Sequence, residues 1–155
     1  MKLLLIAVGQ RQPAWAETAV EDYRKRFPPE LRLALTAVKA EPRGAKPAAR
    51  SMAAEGARVE AALPRGARRI VLDEHGERLA TRELAARLLG WMREGGDVAF
   101  VIGGADGLSA AVKDRADLLL RVSAFTLPHA LARVLLAEQL YRAASILAGH
   151  PYHRE

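Results

Sequence analysis

The sequence predicts one α/β domain over residues 1–155, built in three layers with helices on both faces of a mostly parallel sheet. Three observations predict it. Short apolar runs alternate with helix-length stretches from end to end. Several of those runs are apolar on both faces, as strands covered from two sides must be. The length suits a single core that needs no disulfide or metal to hold it.

Taken in order, "KLLLIAV" (2–8) is the first strand and ends at the turn "GQRQP". A helix follows at 14–27, then the strand "LRLALTAV" (31–38). The loop 39–47 contains Pro42, Gly44 and Pro47, which forbid a stable element and leave three basic side chains exposed. Helix 48–63 leads to the strand "RRIVLD" (68–73), whose run ends at Leu72 and Asp73, and helix 81–94 leads to "DVAFVIGG" (97–104). A short helix near 108–114 and the strand "DLLLRVS" (117–123) complete the alternation. The last helix, 129–148, takes Pro128 in its first turn, where a missing N–H costs nothing. That helix is apolar nearly all round. Glu138, Gln139, Arg142 and Ser145 form a polar stripe, with Glu138 and Arg142 at the favourable four-residue spacing, and Arg133 lies almost opposite. So much apolar surface needs covering on two sides, and a symmetric partner is the economical cover.

With 50% hydrophobic residues spread evenly, the chain is not disordered. It has no cysteine, which excludes thiolate zinc sites, cysteine nucleophiles and disulfides, and a reducing cytoplasm is the expected location. The run Leu3 to Val8 is too short to span a bilayer, so no membrane role is expected. The formal charge is +6, and between Arg24 and Arg69 twelve Lys or Arg stand against four Glu. Such a segment suits a polyanion, or it is an ordinary solvated face. Arg43, Lys46 and Arg50 are its candidate docking residues.

In open α/β sheets ligands bind beyond the carboxyl ends of strands. Three exits stand out: "VLDEHGE", "IGGADGLS" with Gly103, Gly104 and Gly107, and "RVSAFTLPH". The first turn matches neither a dinucleotide GxGxxG nor a phosphate-binding GxxxxGK[ST] loop. "SAFTLPH" is extended and rich in free backbone groups, which suits the adenine edge of a cofactor or simply a capped turn. His150 and His153 have no third ligand nearby in sequence and no HExxH occurs, so no metal is expected. No GxSxG elbow surrounds Ser109 or Ser123.

"LDEHGE", "FVIGGADGLS", "SAFTLPHALARVLLAEQLYRA" and the terminal "HPYHRE", in this order and spacing, closely resemble the RlmH family, large-subunit ribosomal RNA pseudouridine N3-methyltransferases of the knotted SPOUT class. The likeness runs from the first strand to Glu155 and is loosest between about residues 36 and 66. It implies a C-terminal deep trefoil knot, a homodimer, and S-adenosyl-L-methionine as cofactor. The methyl acceptor it implies is N3 of a pseudouridine in 23S rRNA of the assembled ribosome. Carried over by motif, Leu72, Gly103 and the segment Val122, Ser123, Ala124, Phe125, Thr126 and Leu127 hold the cofactor, and Gly104 and Gly107 shape the same cradle. Ala144 departs from the family, being small where relatives often carry an aromatic residue.

Loss of the N3 proton needs nearby cations or a base, and His129, Arg133, Arg142, His153 and Arg154 are the available groups. The terminal Tyr152, His153 and Arg154 are the candidate catalytic residues: the tail is expected to be ordered, to pack beside the cofactor pocket and to present them to RNA across the dimer, with Tyr152 stacking on a base and Arg154 holding a phosphate or the developing anion. The rival role for this tail is closure of the knot or dimer. A non-catalytic ribosome-binding assembly factor that keeps the fold is the alternative function.

Overall fold

The computed structural model describes residues 1–42, 44 and 46–154; the docking candidate Arg43 and the terminal Glu155 lie outside these. The described residues form β1 (Lys2–Val8), α1 (Ala14–Arg26), β2 (Arg32–Val38), α2 (Ala48–Ala62), β3 (Arg68–Arg78), α3 (Thr81–Glu94), β4 (Val98–Ile102), α4 (Ala110–Lys113), β5 (Leu118–Arg121) and α5 (His129–Leu147). The sheet runs β2-β1-β4-β3-β5, and all four pairings are parallel.

Period-two alternation sorts each central strand between two cores. Leu3, Leu5 and Ala7 of β1, with Val98, Phe100 and Ile102 of β4, face α1, α3 and α5. Ile6 and Val8, with Ala99 and Val101, face the opposite layer, where Val59 of α2 and Val112 of α4 cover them. Both faces are therefore dry, and the strands read as continuous apolar runs for that reason.

One strand differs from its expected extent. β3 does not end at Asp73: Leu72 pairs with Leu120, the register then shifts, and Glu77 and Arg78 pair with Leu120 and Arg121. The chain from 73 to 76 bows out and returns to the same edge. Gly76 makes the return possible, since a β-carbon there would stand 2.6 Å from the Leu119 carbonyl carbon. α5 begins one residue after Pro128, which caps it without a side-chain hydrogen bond. Its far end is closed by Gly149 at φ +69°, with Gly149 N–H on Ile146 O and His150 N–H on Ser145 O. This double closure turns the chain back along the helix that precedes it.

Candidate active site

β4, β3 and β5 are neighbours, and their exits enclose a cavity of about 590 Å3, a volume typical of small-ligand sites. Leu72 contributes from β3, Gly103 and Gly104 from the β4 exit, and Val122, Ser123, Ala124, Phe125, Thr126 and Leu127 from the β5 exit. Gly107 lines it too. Phe125 is 84% exposed, so it forms the rim and not the floor.

The β5 loop is held open by its own polar groups. Arg121 donates from Nε to Ser123 O (3.0 Å) and from Nη2 to Ala124 O (3.3 Å), and Ser123 Oγ accepts the Phe125 N–H at 2.9 Å. The backbone N–H and C=O groups of Thr126 and Leu127 have no protein partner among the described residues. Unpaired main-chain groups along a cavity wall are a donor and acceptor set that fits an adenosyl ligand.

Beside this loop, the first turn of α5 brings His129 to the wall. Its Nδ1 lies 2.7 Å from Gly103 O and its Nε2 lies 2.9 Å from Arg133 Nη2, which also donates to Gly9 O at 3.0 Å. Burial first, and then the Arg133 charge, lower the imidazole pKa, against the opposing pull of the Gly103 hydrogen bond. Arg133 is only 3% exposed, and its Nε is a buried polar atom without a partner. The expectation of a buried face opposite the polar stripe of α5 is met by this residue. Of the groups considered for assisting proton loss, His129 lines the cavity; Arg133 stands behind it and Arg142 elsewhere.

A family model described as "Predicted SPOUT methyltransferase" matches residues 1–153. The chain belongs to the SPOUT methyltransferase family. It is 64% identical to the ribosomal RNA large subunit methyltransferase H of Leptothrix cholodnii and 61% identical to that of Delftia acidovorans, each alignment covering the whole of both chains. Among solved structures it is similar to a probable methylase family protein from Haemophilus influenzae, with a TM-score of 0.54 and 14% identity over 99% of this chain and 70% of that one. That likeness concerns the fold. As a methyltransferase the enzyme uses a methyl-donor cofactor.

In this SPOUT methyltransferase the tail residues Tyr152, His153 and Arg154 do not line the cavity of their own chain. The turn at Gly149 lays Tyr152 against α5, its ring 4.8 Å from that of Tyr141 and under the Arg142 guanidinium at 4.6 Å. The Tyr152 hydroxyl lies 3.2 Å from both Tyr23 Oη and Glu138 Oε1. Burial, the Tyr23 hydrogen bond and the Glu138 charge push its pKa well above the ordinary phenol value, so Tyr152 is a proton-bearing phenol and not a base. Arg142 binds Glu138 through Nε at 2.7 Å and reaches His153 Nδ1 at 3.5 Å. The expected Glu138–Arg142 pair is therefore present, as the floor under the tail.

Much of the basic segment is neutralised locally: Arg24 pairs with Glu21, Arg26 with Asp22, Arg58 with Glu41, Arg68 with Glu94 and Arg69 with Glu60. Lys46 of the docking set pairs with Glu41 at 3.2 Å, whereas Arg50 has no carboxylate partner among the described residues. Among the described residues no cluster of three metal-ligating side chains occurs, and no helix is long and apolar enough to cross a membrane. Sequence reasoning missed Arg121 as the brace of the loop after β5, although its place at the end of β5 and two residues before Ser123 was visible.

Proposed function

We propose that this chain transfers a methyl group from S-adenosylmethionine to N3 of a pseudouridine in 23S rRNA on the assembled ribosome, as a cytoplasmic homodimer with a knotted C-terminal segment. The observation that carries the reading is the cavity at the three strand exits, walled by the residues that the family motifs assign to the cofactor. The names of the full-length relatives supply the large-subunit RNA.

When bound, S-adenosylmethionine supplies an electrophilic methyl carbon on a sulfonium. The chain's part is alignment: Arg121 fixes the β5 loop and the open backbone of Thr126 and Leu127 takes the base edge. Holding two reactants in near-attack geometry lowers a barrier by about 7–11 kcal/mol without metal or covalent help. Arg154 brings a guanidinium to the tail, where an imide losing its N3 proton gains stabilisation. Because the tail is tied to its own α5 and outside its own cavity, a partner protomer's cavity is its natural target.

Calorimetry with S-adenosylmethionine and labelled methyl transfer to ribosomes lacking the modification test the reading together. Heat of binding and label in 23S rRNA are expected. An assembly factor without catalysis binds ribosomes, gives no heat with the cofactor and transfers no label.

A further inference from the structure

A buried cation with no carboxylate in hydrogen-bond reach is costly, and one left with an unpaired Nε more so. Arg133 is held in that position in this fold, and what it touches gives the reason. Guanidinium groups carry only donors, so at 2.9 Å the Nε2 of His129 must be the acceptor. The imidazole then has its single proton on Nδ1, where it donates to Gly103 O at 2.7 Å. The same Nη2 donates to Gly9 O at the end of β1. One guanidinium thus ties the exits of β1 and β4 to the first turn of α5.

We propose that Arg133 is a positioning residue for methyl transfer: by donating to His129 Nε2 it fixes the imidazole proton on Nδ1, and that proton fixes the Gly103 carbonyl in the wall of the methyl-donor cavity. The proposal rests on the assignment of that cavity to the methyl donor. Without Arg133, His129 would be free to hold either tautomer, and the Nε2–H form offers Gly103 O no donor. Protonation of His129 is equally disruptive, because it sets an Nε2–H against an Arg N–H and one positive charge against another. The pair must then part, and the repelled ring is pushed out of line with Gly103 O although it still carries Nδ1–H.

The ionisable groups around the imidazole are Arg133 on its own helix, and Glu17 of α1, whose charge acts on Arg133. Across the cavity stand Asp73 and Glu74 from β3, Asp106 after β4, Lys113 from α4 and Arg121 from β5. A His129→Asn variant separates their contribution from that of the imidazole, since the amide can donate to Gly103 O but does not titrate. The neutral imidazole is the form favoured in the folded, ligand-ready protein, its pKa being lowered there. Donor affinity is therefore full above the imidazole midpoint and is lost as pH falls through it.

The test is calorimetry of the full-length protein with S-adenosylmethionine from about pH 8 down to about pH 5, a window in which histidine titrates. The wild type is expected to lose affinity about tenfold per pH unit below the midpoint, the limit for one proton that must leave. His129→Asn should flatten that slope, and Arg133→Gln should flatten it as well, since an imidazolium with no guanidinium facing it keeps its Nδ1–H on Gly103 O. A flat wild-type profile, or an unchanged slope in His129→Asn or in Arg133→Gln, overturns the role given to Arg133 and leaves the cavity assignment standing. No binding by the wild type at any pH overturns the cavity assignment, and this inference with it. A measurement that needs no variant is the long-range nitrogen–proton spectrum of His129: Nδ1–H is expected, and Nε2–H ends the proposal.

Discussion

Tyr152 illustrates how a side chain near a chain end can be fixed by groups distant in sequence. Its ring is clasped by Tyr141 and Arg142 and its hydroxyl by Tyr23 and Glu138. Tyr152→Phe keeps the ring contacts and removes only the hydroxyl, so a loss of about 1 kcal/mol in urea denaturation is expected, the ordinary contribution of one intramolecular hydrogen bond. The raised phenol pKa carries a second expectation. A group whose folded pKa lies above its unfolded value contributes stability that is complete below about pH 10, the free phenol value, and that fades as pH climbs from there. Wild type and Tyr152→Phe should therefore converge in stability in alkali, which denaturation at rising pH reads directly. Arg121 acts at the same scale on the cavity. Arg121→Met removes both donors that hold Ser123 O and Ala124 O, and calorimetry should show cofactor affinity about tenfold weaker, equivalent to about 1.4 kcal/mol, with an unchanged circular dichroism spectrum.

At the scale of elements, the β3–β5 edge is where close packing leaves least room. A methyl group at Gly76 meets Leu119 C at 2.6 Å, Leu119 O at 2.7 Å and Leu120 C at 2.8 Å, all of them backbone. No side chain can swing aside to relieve it, so Gly76→Ala should cost about 1–3 kcal/mol, the range for overpacking, seen as a lower denaturation midpoint. This edge was the element least legible in the sequence. Residues 74–78 read Glu-His-Gly-Glu-Arg, with no apolar alternation, because Glu74, His75, Glu77 and Arg78 are exposed; their strand character comes from β5, more than forty residues on. β1 and β4 were legible because each is buried on both faces and its apolar run stops where the cover stops. The loop after β5 was legible for a related reason: Pro128 and the extended residues before it fix where α5 can begin. The spacing of His129 and Arg133 was visible as one helical turn, but their shared attachment to Gly9 and Gly103 joins three elements and leaves no periodic trace.

At the scale of the whole molecule, the cavity and the tail belong to one chain without meeting in it. Trp15 on α1 and Leu131 on α5 are 53% and 43% exposed, apolar surface of the kind a symmetric partner covers. If the tail acts across such a dimer, two defective chains should repair each other. One chain would carry Arg154→Ala, with its cavity intact; the other would carry Ser123→Trp to block the cavity, with its tail intact. Each alone should form dimers with little methyl transfer. Refolded together in equal amounts, half of the dimers are mixed, and each mixed dimer has one site that joins a sound cavity to a sound tail, so about a quarter of wild-type activity should return. A tail that works on its own chain's cavity predicts no recovery, because every sound cavity then sits with a damaged tail. Full activity in Arg154→Ala by itself would instead assign the tail to closing the fold, the role its contacts with Tyr23, Glu138 and Tyr141 already perform.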